Sequence, residues 1–436
     1  MTDARVLLWG TEIGAVSWIA DRNIGIFQYT GEFAQSGIEV SPLEMPLRPQ
    51  PYEFPELAYD TFKGLPGLLS DSLPDKFGNA MIDAWLATQG REPGSMNPVE
   101  RLRYIGTRGM GALEFRPGFE RGRRKERVLK IDALVDLTNQ VLNDRQNLRG
   151  VFTGEDDHET IEDILRVGTS AGGARAKAIL AWNEETNEFR SGQVDLEEGY
   201  TAWLMKFDGI DDNKDKELVD PKGYGLIEYA YHLMAVEAGI QMMPCRLHKE
   251  GGRSHFMTQR FDRTVDGDKL HVQTLGALMH YDYNQPASYS YEQALQATIR
   301  LDLSMGEIEE QFRRTVFNVI ARNQDDHVKN IAFLMDRAGK WSLSPAYDVA
   351  YSYNPGGAWT GKHQMSVNGK RDDFELSDLI ALAVIGGVKA GRAKQIVEQV
   401  REAVSRWEEF ASDAGVFEEH ATKVKRAIRL DLYDCN

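Results

Sequence analysis

Residues 4–30 alternate between apolar and polar side chains, which is the pattern of half-buried β-strands. The alternation is interrupted around Gly10, where a residue without a side chain suits a tight turn. We therefore predict a β-hairpin followed by a third strand. We also predict strands over residues 178–182, 201–207, 245–248, 255–261, 331–335 and 341–343.

Apolar side chains recur at helical spacing in five further stretches of the chain. Three of these predict helices over residues 76–88, 131–144 and 225–238. The fourth begins after Ser304, which forms a capping box with Glu307, and its apolar face carries Ile308, Phe312, Val316, Val319 and Ile320. The fifth predicts one long helix from Ala390 to about Asp413, with an apolar face made of Ile396, Val400, Val404, Trp407 and Phe410.

The order of these elements predicts an α+β protein of three domains. Residues 1–125 would form an N-terminal β-rich subdomain of hairpins plus helices, residues 126–263 a mixed α/β lobe, and residues 264–436 a helical lobe. The first border lies in a charged stretch, residues 116–127, that contains glycine and proline. A mixed lobe followed by a helical lobe is the plan of the two-lobed protein-kinase-like fold, which is the fold class we predict.

Composition narrows the picture further. At 436 residues, with 42% hydrophobic and 27% charged residues, the chain resembles a globular protein with a substantial core. Its net charge of −16 disfavours broad nucleic-acid binding by this chain alone, and we interpret the basic residues 121–125 as a solvated linker. The two cysteines, Cys245 and Cys435, indicate neither a disulfide framework nor a thiolate metal site. With no signal-peptide pattern and no apolar run of about 18 residues, we expect a cytoplasmic protein that does not enter a membrane.

The strongest chemical signal follows the fourth predicted helix. Asp325 is followed by Asn330 five positions later and by Asp348 after a further eighteen. Protein kinases use this order, in which the first Asp positions the attacking hydroxyl while the Asn and the second Asp hold Mg²⁺ on the nucleotide phosphates. A predicted hairpin between the two motifs would return Asp348 to Asn330. Taken alone, the acidic run is also compatible with a solvated loop, and Asp326 is a second candidate base, but only Asp325 has an asparagine five positions on.

Candidate nucleotide contacts lie earlier in the chain. Residues 168–177 are rich in glycine, which lets backbone N–H groups approach phosphate oxygens, but they match neither the Walker nor the Rossmann spacing and are otherwise a flexible loop. Lys206 lies at the end of a predicted strand, either as an edge charge that opposes aggregation or as a phosphate partner. Gln259 and Phe261 lie where a kinase hinge would offer backbone groups to adenine.

In this order the motifs resemble those of the HipA family, the toxin kinases of bacterial type II toxin–antitoxin modules, which phosphorylate serine or threonine on target proteins. Residues 67–79 and the opening hairpin resemble the family's N-terminal subdomain. The other resembling segments are residues 167–180, 206, 260–263, 325–330, 343–349 and 363–370. The resemblance covers nearly the whole chain and implies a serine/threonine-protein kinase whose N-lobe and C-lobe are the second and third predicted domains.

The resemblance implies that ATP and Mg²⁺ are the cofactors. By position in the motifs, Asp325 would be the catalytic base, and Asn330 and Asp348 would be the ligands of Mg²⁺. His327 would support the loop or the γ-phosphate, and Lys329 would either do the same or be solvated.

The glycine-rich loop of family members carries a serine whose autophosphorylation silences the kinase, and Ser170 falls at that position. A phosphate dianion there would repel the phosphates of ATP. The resemblance therefore implies Ser170 as the autophosphorylation site. The residues that it implies for ATP binding are Gly168, Ser170, Ala171, Gly172, Lys206, Gln259 and Phe261.

The implied partners are a HipB-like helix-turn-helix antitoxin, DNA only through that antitoxin, and a protein substrate. Aminoacyl-tRNA synthetases are the known targets in the family, but residues 269–275 and the tyrosine-rich residues 281–291 depart from the best-known toxin and indicate another branch. Two alternatives remain open. One is a catalytically weak homologue that mainly docks the antitoxin as a co-repressor, and the other is a small-molecule phosphotransferase of the aminoglycoside-kinase type.

Overall fold

The structure is a computed structural model that describes residues 2–118, 128–143, 175–192, 196–210, 222–264 and 266–432. The chain divides into two compact units. Unit one comprises Met1–Val40, Met45–Lys222 and His248–Val272, and unit two comprises Ser41–Glu44, Gly223–Leu247 and Gln273–Asn436. The domain borders predicted at residues 125 and 263 stay predictions. Within the described ranges, no helix is long and apolar enough to cross a bilayer.

Unit one begins with the predicted hairpin and third strand. The strands β1 (Thr2–Leu8), β2 (Thr11–Ile19), β3 (Ile24–Tyr29) and β4 (Leu113–Arg116) form an antiparallel sheet in the order β3-β2-β1-β4. The turn between β1 and β2 is Trp9-Gly10, and both residues have a positive φ, as a two-residue hairpin requires. Its helices are α1 (Tyr59–Phe62), α2 (Gly67–Ser70), α3 (Lys76–Thr88), α4 (Pro98–Ile105) and α5 (Ile131–Asn143).

A five-stranded sheet in the order β6-β5-β7-β9-β8 follows along the chain. Its strands are β5 (Lys177–Asn183), β6 (Glu188–Ser191), β7 (Thr201–Lys206), β8 (Cys245–Glu250) and β9 (Arg253–Gln259). One apolar core includes Phe77 of α3, Val135 of α5 and Met205 of β7, each at most 2% exposed. The N-terminal helices and the strands β5, β6, β7 and β9 are therefore held in one unit by a shared core.

A buried cluster of charges also stabilises unit one. The carboxylate of Asp262, just after β9, accepts hydrogen bonds from Arg260 Nη2 and Arg263 Nη1 at 2.7 Å each. It also accepts one from the backbone N–H of Gly111 at 2.7 Å, where a positive φ makes glycine the suitable residue. Burial alone would raise the pKa of Asp262, but the two guanidinium groups outweigh it and hold that pKa well below its usual range.

Unit two is mainly helical. A three-stranded sheet in the order β10-β11-β12 is made of β10 (His271–Thr274), whose last two residues belong to unit two, β11 (Ala332–Met335) and β12 (Trp341–Leu343). The last two form the predicted antiparallel hairpin. The helices are α6 (Tyr224–Glu237), α7 (Leu275–Leu278), α8 (Tyr291–Arg300), α9 (Met305–Ile320), α10 (Leu376–Ile385), α11 (Ala390–Ser405), α12 (Trp407–Ala414) and α13 (Glu418–Ala427).

The single long helix predicted to end near residue 413 is in fact two helices, α11 and α12, separated at Arg406. The backbone of Arg406 leaves the helical region, with φ −89° and ψ 19°. Its guanidinium pairs with Glu237 of α6 at 2.6 Å, and the ring of Trp407 packs against Tyr231 of α6 at 5.4 Å. The apolar period continues across the break, so the sequence pattern does not reveal it.

We expect Asp262→Asn to lower the free energy of unfolding by about 3–5 kcal/mol, because it leaves two buried guanidinium groups without their anion. Urea unfolding at pH 7 measures this loss. Glu12→Gln is the control, since Glu12 pairs with Arg5 on the surface, where side chains are 41% and 61% exposed, and such pairs stabilise little. Equal effects of the two substitutions would contradict a stabilising role for the buried cluster.

Candidate active site

The loop that carries Asp325 begins where α9 ends. Arg322 adopts a left-handed backbone with φ 59°, and the N–H of Asn323 donates back to the carbonyl of Asn318 at 3.1 Å, which closes the helix end. The chain then forms a 3₁₀ turn at Val328–Asn330, whose first N–H groups include that of Lys329. This N–H donates to His327 Nδ1 at 3.3 Å. The loop therefore has a defined conformation, and His327 supports it.

The two adjacent acids differ sharply in their surroundings. The Asp325 side chain is 47% exposed, whereas that of Asp326 is fully buried. Asp326 accepts hydrogen bonds from Tyr291 Oη, from His363 Nδ1 and from the backbone N–H of Gln364, each at 2.7 Å. A carboxylate with these three partners is committed to holding the structure together, while Asp325 remains accessible to an acceptor.

The same contacts decide the charge of Asp326. Burial alone would raise its pKa, but the interactions with His363, Tyr291 and the N–H of Gln364 together lower the pKa below its usual range. Asp326 is therefore ionised at neutral pH. Its charge is balanced by donors from α8 and from the segment that follows Thr360.

Asp325 is oriented through both its backbone and its side chain. Its N–H donates to Ser352 Oγ at 3.3 Å, and its carbonyl accepts from Asn330 Nδ2 at 2.7 Å. Its carboxylate oxygen Oδ1 accepts from the indole Nε1 of Trp359 at 3.1 Å, and His327 Nε2 lies 3.9 Å from the same oxygen. The carboxylate is thus held at one oxygen by Trp359, which is distant in sequence, with His327 of its own loop nearby.

The two residues predicted to hold Mg²⁺ lie on neighbouring segments of unit two. Tyr347 donates its hydroxyl to the carbonyl of Lys329 at 2.5 Å, which brings the residues before Asp348 and Asn330 together. Asp348 has a positive φ of 52°, a strained conformation that is common at functional sites. Because the Asn330 amide donates its N–H to Asp325, its oxygen can point elsewhere. One amide oxygen and one carboxylate are a donor set that suits Mg²⁺ when phosphates and water supply the other ligands.

Two tyrosines of the tyrosine-rich stretch, Tyr283 and Tyr291, contact this loop, which the sequence analysis did not anticipate. Lys329 Nζ lies 4.9 Å from the centre of the Tyr283 ring, and His327 lies 5.7 Å from the same ring. Tyr281 stacks on Tyr289 at 4.3 Å. Lys329 is therefore partly engaged by a cation–π contact. Its contact with a phosphate stays a prediction.

Lys206, the predicted phosphate partner, is in unit one. It belongs to β7, which is a central strand of the five-stranded sheet, so the alternative of an edge charge is wrong. It pairs in register with Lys177 of β5, which places both side chains on one face. Lys177 is buried, and its Nζ lies 3.5 Å from Asp75 at the start of α3. Lys177 was not singled out in the sequence because a buried charge has no pattern of its own.

Of the other predicted nucleotide contacts, the structure describes two residues, Gln259 and Phe261. Gln259 ends β9, and Phe261 follows between the residues of the buried charge cluster, so both lie on a rigid segment. Their contact with adenine stays a prediction. The remaining predicted contacts, Gly168, Ser170, Ala171 and Gly172, lie outside the described residues.

Comparison with known proteins identifies the relatives of this chain. A family model for the HipA N-terminal domain matches residues 4–116, and one for the HipA-like C-terminal domain matches residues 169–407. The fold is similar to that of the Shewanella oneidensis MR-1 toxin–antitoxin complex of HipA, HipB and operator DNA, with 17% identity, coverage of 97% of this chain and 94% of that chain, and a TM-score of 0.66. The predicted α+β, two-lobed kinase-like fold is thereby confirmed.

Two further comparisons add little. The Helicobacter pylori proinflammatory kinase CtkA shares 12% identity over 53% of this chain and 89% of that chain, with a TM-score of 0.33. A score this low does not support a shared fold. The curated proteins include no match to this chain.

We expect Asp326→Asn to lower the free energy of unfolding at pH 7 by about 2–4 kcal/mol, because an amide cannot accept from all three donors. The pKa of Asp326 is lower in the folded than in the unfolded protein, so its contribution is present above about pH 4 and is lost as the pH falls further. Urea unfolding should therefore give the same difference at pH 7 and pH 5. The control is Asp373→Asn, an exposed site whose positive φ suits asparagine, and an equal loss in both variants would refute the assignment.

Proposed function

Because the chain belongs to the HipA family, we propose that it is an ATP- and Mg²⁺-dependent serine/threonine-protein kinase of the HipA toxin type. The observation that carries the proposal is the separation of roles between the two acids of the loop. Asp326 is buried and hydrogen-bonded, and Asp325 is half exposed with its backbone bonded to Asn330. This arrangement leaves one oriented carboxylate for an acceptor hydroxyl, which is what phosphoryl transfer to a protein requires.

In the proposed mechanism, the acceptor hydroxyl oxygen bonds to the γ-phosphorus of ATP while ADP leaves, and the hydroxyl proton passes to Asp325. Asn330 and Asp348 would hold Mg²⁺, which neutralises the charge that develops on the phosphates. Lys206 would contact the same phosphates as a point charge. His327 maintains the turn that presents Asp325, as its contact with the N–H of Lys329 indicates.

We further propose that Ser170 is the autophosphorylation site and that its modification silences the kinase. The physical reason is charge, because a phosphoserine of about −2 would compete with the phosphates of ATP for the same partners. This would give the protein a slow route to inactivation that needs no other factor.

A HipB-like helix-turn-helix antitoxin is the proposed partner. The structural relative from Shewanella oneidensis was solved with HipB and operator DNA, and it supports this proposal by analogy of fold. The net charge of −16 is consistent with contact to DNA only through such a partner. A co-repressor without kinase activity is the alternative that the first experiment below separates from the leading proposal.

The first experiment incubates the purified protein with γ-labelled ATP and Mg²⁺ and locates the label by mass spectrometry. We expect the label on Ser170 in the parent. The reaction should be about 100-fold slower or more in Asp325→Asn, because a general base contributes about that much to the rate. ATP affinity should stay within about twofold of the parent. Asp302→Asn is the matched control, since Asp302 is exposed and has a positive φ that suits asparagine. A parent that binds ATP without transferring phosphate would favour the co-repressor, and label elsewhere than Ser170 would reject the proposed switch.

The second experiment measures ATP affinity by calorimetry. Lys206→Met should weaken binding of Mg-ATP about tenfold or more, because it removes a cation from the phosphates while keeping the length of the side chain. Lys249→Met is the control, since Lys249 is an exposed lysine on β8 of the same sheet. An unchanged affinity in Lys206→Met would remove this lysine from the nucleotide site.

A further inference from the structure

The indole of Trp359 is connected to the loop of Asp325 through a closed circuit of contacts. Asp326, next to Asp325 in the chain, accepts the backbone N–H of Gln364 at 2.7 Å. The side-chain amide of Gln364 donates to the carbonyl of Trp359. The indole N–H of Trp359 then donates to Asp325 Oδ1 at 3.1 Å, which returns the circuit to its start. The adjacent acids therefore fix two points of the same segment: Asp325 binds the indole of Trp359, and Asp326 binds the backbone of Gln364.

The segment that carries Trp359 has a fixed shape of its own. The N–H of Asn354 donates to the carbonyl of Thr360 at 3.2 Å, and the N–H of Gly357 donates to the carbonyl of Asn354 at 3.0 Å. At Gly361 the chain approaches itself so closely that a Cβ would lie 2.5 Å from the carbonyl oxygen of Gly357. Such a segment presents the indole in one orientation, so the contact with Asp325 is built into the fold.

The contact also distinguishes the two oxygens of the Asp325 carboxylate. Trp359 Nε1 and His327 Nε2 both approach Oδ1, at 3.1 Å and 3.9 Å. Among the described residues, no hydrogen bond to Oδ2 is formed, and the side chain is 47% exposed. A carboxylate held by one oxygen keeps the other in a defined direction.

We propose that Trp359 is a positioning residue for phosphoryl transfer, which holds Asp325 by Oδ1 so that Oδ2 receives the proton of the acceptor hydroxyl. Gln364 acts behind it by fixing the backbone of Trp359 to the buried Asp326. The inference rests on the proposed kinase function and names the residue that orients its catalytic base, Asp325. The competing explanation is that Trp359 only closes the surface loop, and in that case its N–H would not affect the reaction.

Replacement of Trp359 by Phe tests the proposal because it keeps an aromatic ring and removes the donor. We expect the limiting rate constant of autophosphorylation at saturating ATP, written kcat below, to fall about tenfold, as for the loss of one oriented hydrogen bond to a charged group. The KM for ATP should stay within about twofold, because the contact lies on the acceptor side. Gln364→Met, which removes only the amide support, should give a smaller fall in kcat with the same unchanged KM.

The matched control is Trp182→Phe, in which the lost indole N–H donated to Asn187 in the exposed β5–β6 hairpin. This variant should react at the parent rate. If Trp359→Phe also keeps the parent kcat, or if it raises the KM for ATP without lowering kcat, the positioning role is rejected. If the parent itself transfers no phosphate, the proposed kinase function fails and the inference falls with it.

A second readout tests the contact without any activity. In the full chain labelled with ¹⁵N-tryptophan, the indole resonance missing from Trp359→Phe identifies Trp359. We expect that resonance to move in Asp325→Asn and to stay in place in Asp302→Asn. A resonance indifferent to Asp325→Asn would overturn the proposed hydrogen bond, whatever the kinase assay gives.

Discussion

The buried carboxylate of Asp326 is the interaction on which the candidate active site depends. Burying an ionised carboxylate away from water is unfavourable unless hydrogen-bond donors surround it. Here the donors are Tyr291 at the start of α8 and His363 and Gln364 on a later segment. These parts of the chain must converge for the charge to be satisfied. The convergence fixes the loop at the end of α9, and the orientation of Asp325 follows from it.

Unit one uses the same principle at another place. Asp262 is fully buried between two guanidinium groups. It also accepts a hydrogen bond from the backbone N–H of Gly111, which lies just before β4 of the first sheet. It therefore connects the segment matched by the HipA N-terminal domain to the turn after β9, which belongs to the part matched by the HipA-like C-terminal domain. In both units, a fully buried acid stabilises the fold.

The residues proposed for chemistry have a different environment from these stabilising acids. Asp325 is half exposed, and Asp348 has a strained left-handed backbone. Rigid elements on either side, the end of α9 and the β11–β12 hairpin, hold this pair of segments, and Tyr347 joins them. Neighbouring residues thus have different roles: Asp326 stabilises the fold and thereby orients Asp325, which is proposed to take part in the reaction.

The sequence by itself determined many of the helices and strands and the order of the motifs. Alternation of period two and the helical period located the opening hairpin, α3, α9 and the β11–β12 hairpin, because each depends on local spacing and on caps such as Ser304. It also selected Asp325 over Asp326, through the asparagine five positions on.

Only the tertiary structure decided which partners those residues have. The break at Arg406 depends on α6, the central position of Lys206 depends on strand order, and the contact of Trp359 with Asp325 joins residues 34 positions apart. Burial and hydrogen bonding between distant segments leave no periodic trace in the chain, since they arise from packing. For that reason the charged residues of the site could be named from the sequence, but the groups that orient them and form hydrogen bonds with them could not.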